Sequence, residues 1–289
     1  ELPEAVSLWH NIQPKPGNTI LGAKIRHLWS RETLTASLCG LRFEVSPYSF
    51  FQVHKEQAEI LYEKALAYAD LKGGETVIDA YCGTGTISLC LAKKAKRVIG
   101  IEIVKSAIED AKKNAKMNHM ENTEFYAADA GKFMPQLYRK GLVPDVIVMD
   151  PVRAGCSEEV LKAAAGMNPK RIVYVSCNPA TFARDAKILK SEGYEIKEVQ
   201  PVDMFPQTMH VETVCLLVLR NPVTHINIDV DVEELVQDKR GRATYGQIQE
   251  YVKEHTGLNV TNLNVTQTKR KCGIIERENY NLPKLEDSK

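Results

Sequence analysis

No stretch of this sequence stays apolar long enough to cross a bilayer, which excludes a helical membrane protein and any membrane partner that needs one. No two of its seven cysteines have C-x-x-C spacing, and their count is odd. A disulfide framework and a paired-cysteine zinc site are therefore not expected, and a reducing cytoplasm suits the thiols best. An excess of one charge is missing too: 38 Lys and Arg stand against 37 Asp and Glu, a net charge of +1. A chain that held RNA tightly by itself would be more basic, so any basic surface is local or comes from another domain. There are no internal repeats. The opening Glu1-Leu2-Pro3-Glu4 has neither an initiator Met nor a signal-peptide pattern and reads as a fragment or a processed form. The N-x-T sequons at Asn259 and Asn264 then count as coincidences of composition.

What remains is an ordinary globular composition, 44% hydrophobic and 26% charged over 289 residues, enough for one large domain and a smaller one. Residues 1 to about 45 read as short strands broken by Pro14, Pro16, Gly17 and Gly22. They look like the end of a β-rich domain, expected over 1–48. A helix is expected from about Val53 to Asp70, with Ala58, Leu61, Ala65 and Leu66 on one face. Strand-like runs follow at Thr76–Ala80, Arg97–Glu102, Thr123–Ala127, Asp145–Asp150 and Arg171–Ser176, separated by helical stretches such as Val104–Asn118 and Ala180–Glu192. Continuous apolar strands alternating with helices predict a doubly wound, Rossmann-like α/β sheet over 49–221. Two further runs, Ile196–Val202 and Thr213–Leu219, have no helix between them and predict an antiparallel hairpin closing the sheet edge. Residues 222–289 read as a small appendage. One amphipathic helix starts near Thr244, carries Ile248, Tyr251 and Val252 on one face, and stops at Gly257. Its flanking basic clusters, Lys239-Arg240-Gly241-Arg242 and Lys269-Arg270-Lys271, read first as solvated loop charge and second as a contact to RNA phosphates.

Asp79-Ala80-Tyr81-Cys82-Gly83-Thr84-Gly85-Thr86 is a strand end running into a glycine turn and a helix start. Glycines let the backbone approach a ligand, and a helix N-terminus offers free N–H groups. Glu102 ends the next strand, where an acid can accept hydrogen bonds from both ribose hydroxyls of an adenosine. Ser88 stands where a dinucleotide fingerprint has its third glycine. That departure, with Asp79 and with Asp129 near the expected adenine edge, favours S-adenosylmethionine over a pyrophosphate cofactor. The bland alternative is a turn that merely packs.

Three more features fall at carboxyl ends of later strands, where an open α/β sheet places its active site. They are Asp150-Pro151-Val152-Arg153-Ala154-Gly155, Ser176-Cys177-Asn178-Pro179-Ala180-Thr181 and His210-Val211-Glu212-Thr213. Singly, each has a structural explanation: a core Cys (as expected of Cys90 and Cys215), a strand stop, a solvated acid. Cys177 differs because Asn178-Pro179 marks a helix start, and a thiol there is expected below its ordinary pKa of about 8.5.

Together these residues resemble the bacterial RNA uracil-5-methyltransferase family, whose members act on ribosomal RNA or the transfer-RNA T-loop. The resemblance rests on Ser49-Phe50-Phe51-Gln52-Val53, the Asp79–Gly85 turn, Asp150–Gly155, Val175–Asp185 and Asp203–Glu212, and covers about residues 40–220. It implies a class I S-adenosylmethionine-dependent enzyme that makes 5-methyluridine, with 23S ribosomal RNA as the expected substrate and transfer RNA as the alternative. By the same resemblance Cys177 is the nucleophile, Glu212 the base and Asp150 the polar group at the pyrimidine edge. Gln52, Tyr81, Gly83, Thr86, Glu102, Asp129 and Asp150 line the donor and uracil pocket, and Phe50 with Gln52 faces RNA. Some relatives hold an iron–sulfur cluster through four upstream cysteines. Only Cys39 stands in that region, so no cluster and no other metal is expected. His54 replaces a common Asn, and Val152 a common Pro or Ala. A generic methyltransferase would share the glycine turn without needing Cys177 and Glu212. A nicotinamide oxidoreductase would want the third glycine, and a non-catalytic RNA-binding factor would need none of the three.

Overall fold

The computed structural model describes residues 5–13, 22, 24–47, 49–220 and 245–256. The chain divides into two compact units, Glu1–Val223 and Thr224–Lys289. In the first unit, β1 (Ser7–Ile12) and β2 (Lys24–Ser30) form an antiparallel ribbon, and β3 (Leu34–Leu38) pairs with β4 (Leu41–Val45). The turn between β3 and β4 is two residues, Cys39 and Gly40, both at positive φ (51° and 71°). That geometry matches the twist of a tight hairpin.

The expected α/β alternation follows. Its strands are β5 (Thr76–Asp79), β6 (Arg97–Glu102), β7 (Thr123–Ala127), β8 (Val146–Met149), β9 (Arg171–Ser176), β10 (Tyr194–Val202) and β11 (Glu212–Leu219). Its helices are α1 (Lys55–Ala69), α2 (Thr86–Ala92), α3 (Lys105–Met117), α4 (Ala130–Arg139), α5 (Glu158–Gly166) and α6 (Pro179–Ser191). The seven strands lie in the order β10-β11-β9-β8-β5-β6-β7. β5 to β9 are parallel, while β11 runs antiparallel to both β9 and β10. The closing hairpin expected from the sequence is therefore at the sheet edge.

Period-two alternation along these strands feeds two cores, as a doubly wound sheet requires. Val77, Val146, Val148 and Val173 pack with α1, α2 and α3, whereas Ile78, Ile147, Met149 and Ile172 pack with α4, α5 and α6. Each fully buried aliphatic side chain contributes about 1.5–3 kcal/mol. Cys90 and Cys215 are buried core residues, as expected. Leu38, Leu41 and Phe43 of the β3–β4 hairpin join the first of these cores.

In the second unit the described element is α7 (Tyr245–Thr256), close to the helix expected from Thr244, with Val252 buried. The two basic clusters and both sequons lie outside the described residues. No helix among the described residues is long and apolar enough to cross a membrane.

Candidate active site

The carboxyl end of β5 delivers Asp79 into the sheet interior. Ser88 Oγ, from α2, donates to Asp79 Oδ2 at 2.6 Å, while Oδ1 is buried with no partner. Burial pushes this carboxyl up to about 6. The chain then turns through Gly83 and Gly85, with Gly85 N–H donating to the Cys82 carbonyl at 2.8 Å. Gly85 has φ 85°, and a Cβ there would lie 3.2 Å from Ala111 Cβ and 3.3 Å from Phe125 Cζ. The turn thus needs glycine for its conformation and for its close packing. Ser88, at the third-glycine position, is committed to Asp79, so this turn is not built as a pyrophosphate cradle.

Around the turn stand the other residues expected to hold a cofactor. Glu102 Oε1 accepts the Val104 N–H at 2.9 Å at the end of β6. Asp129 caps α4, its Oδ1 accepting the Lys132 N–H at 3.1 Å. Tyr81 is partly buried, and its hydroxyl is pushed up by desolvation and by the neighbouring Cys156 and Asp129. Thr86 Oγ1 lies 3.0 Å from the hydroxyl of Tyr62, a buried α1 residue that sequence reasoning did not single out. Gln52 is buried in the segment before α1, and Phe50, two residues earlier, is 77% exposed.

The reversal of β11 assembles the second half of the site. Thr213 pairs with Ser176, so the start of β11 sits beside the end of β9 and brings Glu212 to Cys177. β8 runs parallel to β9 and delivers Asp150 to the same edge. Three residues expected from separate motifs therefore meet. Burial, then Glu212, then Asp150 raise the Cys177 thiol, and Arg153 lowers it. The Asp150 carboxyl is pushed up to about 8 by burial, Glu212 and Asp79. Glu212 is 8% exposed and also raised by burial, with Arg153 opposing.

The expectation of a depressed Cys177 pKa is corrected here. Cys177 precedes the helix cap, Asn178, whose side chain accepts the Ala180 N–H at 3.1 Å. The helix end is therefore answered by Asn178, and the thiol faces two carboxyls in a partly desolvated pocket. Arg153, hydrogen-bonded at 3.2 Å to His210 Nδ1, is the cation in this group. Arg153 stands in the Asp150–Gly155 motif, where sequence reasoning assigns it no role. Its signal was a lone Arg three residues after the strand-end acid.

The family model described as tRNA (uracil-5-)-methyltransferase matches residues 24–220. The chain belongs to that family. An uncharacterized RNA methyltransferase of Halalkalibacterium halodurans is 52% identical over 220 residues, covering 76% of this chain and 48% of that protein. One from Listeria innocua is 52% identical over 217 residues, covering 75% and 48%. The chain thus spans about half the length of the curated relatives it matches. Among solved structures, the tRNA (uracil-54, C5)-methyltransferase of Pyrococcus abyssi, in complex with S-adenosyl-L-homocysteine, has a TM-score of 0.60 and 33% identity, covering 74% of this chain and 51% of that one. A SAM-dependent methyltransferase of Agrobacterium tumefaciens, 18% identical with a TM-score of 0.53 over 68% of this chain and 74% of that one, shares the fold.

Proposed function

We propose that this uracil-5-methyltransferase family chain methylates carbon 5 of a uridine in folded RNA, with Cys177 as nucleophile and Glu212 as base. The observation that carries the reading is the meeting of Cys177, Glu212 and Asp150 at one sheet edge, next to a glycine turn of the donor-binding kind. The donor end fits S-adenosylmethionine. The unpartnered, buried Asp79 Oδ1 suits a cationic ligand, and Glu102 and Asp129 suit the ribose and adenine. Tyr81, Gly83, Thr86 and Gln52 complete the lining. When bound, S-adenosylmethionine supplies a methyl group on a sulfonium.

Uracil carbon 5 is a poor nucleophile, and the side chains of this site answer that. The Cys177 thiolate adds to carbon 6, which places an electron pair on carbon 5 for bond formation to the methyl. Asp150, protonated up to about 8, donates a hydrogen bond to the pyrimidine edge. Glu212 then takes the carbon 5 proton, and the released electron pair expels the thiolate. The uridine must leave its stack to reach Cys177, at a cost of a few kcal/mol, which favours loop uridines. Exposed Phe50 offers a ring for a neighbouring base. Free cysteines throughout the described residues are in keeping with cytoplasmic RNA as the substrate. The family model over residues 24–220 and the Pyrococcus abyssi structure carry a transfer-RNA name, while the relatives at 52% identity carry only the broad name RNA methyltransferase. The transfer-RNA T-loop and ribosomal RNA are accordingly the two targets to compare.

Cys177→Ala should abolish methylation and every covalent RNA adduct while leaving donor binding intact. Glu212→Gln should slow turnover by about 10²–10⁴-fold and accumulate an adduct stable in denaturing gels. Mapping of 5-methyluridine in both RNA classes identifies the substrate. A Cys177→Ala variant that still methylates, or an adduct formed through another cysteine, refutes the mechanism.

A further inference from the structure

The first two turns of α6 do more than present Cys177. Asp185 is fully buried and its two oxygens are densely occupied. Oδ2 accepts the Cys156 N–H at 2.7 Å and the Tyr174 hydroxyl at 2.6 Å, while Oδ1 accepts Arg184 Nε at 2.8 Å and Nη2 at 2.7 Å. Arg184 Nη2 also donates to the carbonyls of Ala154 at 2.9 Å and Cys156 at 3.2 Å. Thr181 Oγ1 donates to the Arg153 carbonyl at 3.3 Å. Backbone groups of 153, 154 and 156 are thus held by side chains of one helix. Gly155, at φ 77°, completes the fit: a Cβ there would lie 2.6 Å from Asp185 Oδ2 and 2.7 Å from Arg184 Nη2.

A buried carboxylate is costly, and a neutral residue would serve a helix in this layer equally well. The loop it grips begins with Asp150 and carries Arg153, while the helix supplying the grip starts directly after Cys177. We propose that the Arg184–Asp185 pair is a positioning device that holds the Asp150–Cys156 loop in register with Cys177. It rests on the methylation reading above and deepens it. The charged and titratable groups facing the thiol are Glu212 from β11 and Asp150 and Arg153 from the loop, with His210 bonded to Arg153. Arg184 is not among them, so its removal reaches Cys177 only by moving the loop.

The test is alkylation of Cys177 by iodoacetamide across pH, read by peptide mass mapping, in Arg184→Ala and Arg184→Lys. The clamp contacts residues 153, 154 and 156, whereas Asp150 directly follows β8 and stays with the sheet, so the freed segment carries Arg153 away and Arg153 stabilises the thiolate less. Arg184→Ala should then alkylate about tenfold more slowly at neutral pH, the change that one unit of thiol pKa produces. Methylation kcat should fall with it, and KM for RNA and S-adenosylhomocysteine binding should not move. Arg184→Lys keeps the charge without the planar fork and should recover only part of the rate. Gly155→Ala attacks the contact from the loop side and should give the same alkaline shift, which keeps the test decisive if Arg184→Ala fails to fold. A wild-type alkylation profile in a folded variant, or a lowered melting temperature with kcat unchanged, overturns the proposal. The alkylation readout needs no RNA. A wild-type protein that methylates no uridine would therefore remove the methylation reading while this measurement still decided the clamp.

Discussion

Between the ends of β8, β9 and β11, the Cys177 thiol, the Glu212 carboxyl and the Asp150 carboxyl are all raised from their ordinary values, chiefly by burial. Glu212 and Asp150 disfavour the thiolate, Glu212 also disfavours ionised Asp150, and Arg153 is the cation set against Cys177 and Glu212. For Asp150 the consequence for stability has a definite sign. The folded protein keeps this proton up to about 8, whereas the unfolded chain releases it near 4. Its contribution is complete at low pH and is lost as pH rises through that interval, because the unfolded state gives up the proton first. Asp150→Asn has no proton to lose. The melting temperature of the wild type should therefore fall relative to the variant from about pH 5 to about pH 8. Parallel melting curves across that range would show that Asp150 ionises freely in the fold.

At the scale of elements, α3 is the piece that joins the β3–β4 hairpin to the donor turn. Asn114, fully buried, accepts the Glu44 N–H of β4 at 2.8 Å through Oδ1 and donates to the Thr84 carbonyl at 3.1 Å through Nδ2. One helical turn later, Asn118 bonds both the N–H and the carbonyl of Arg42. The two side chains at i and i+4 thus act as a short surrogate strand along the free edge of β4. Asn114→Ala leaves a backbone donor and a backbone acceptor unsatisfied, and should cost about 2–4 kcal/mol, readable in urea titration. It should also weaken S-adenosylhomocysteine binding, because Thr84 lies inside the turn. Loss of stability with unchanged ligand affinity would mean that the turn holds its shape without α3.

For the whole molecule, the controlling quantity is charge. With a net charge of +1 over 289 residues, and about half the length of its curated relatives, the chain has little general attraction for a polyanion. Its own RNA binding should be weak and should depend shallowly on salt, with a log–log slope equivalent to roughly two or three phosphates. Filter binding over a salt series measures this directly. A slope beyond about −5 would reveal a concentrated basic face that the overall balance conceals.

Much of this molecule was legible along the chain because its signals are local. Apolar runs bounded by turn residues marked all seven strands of the large sheet, and Asp79 to Gly85, Asp150-Pro151 and Cys177-Asn178-Pro179 marked strand ends by their turn chemistry. Helix α1 came out at Lys55–Ala69 against an expected 53–70, since caps and periodicity need only neighbours. What the tertiary structure alone decided depends on groups distant in sequence. The Cys177 thiol is raised and not lowered, first because the closed fold buries it, then because pairing with β11 brings Glu212 against it and β8 brings Asp150. Asn118 reaches Arg42 across 76 positions, Arg153 finds His210 across 57, and Asp185 finds Cys156 across 29. Local pattern specifies which backbone forms; burial and electrostatic neighbours, which set the chemistry of a side chain, exist only once the chain has closed on itself.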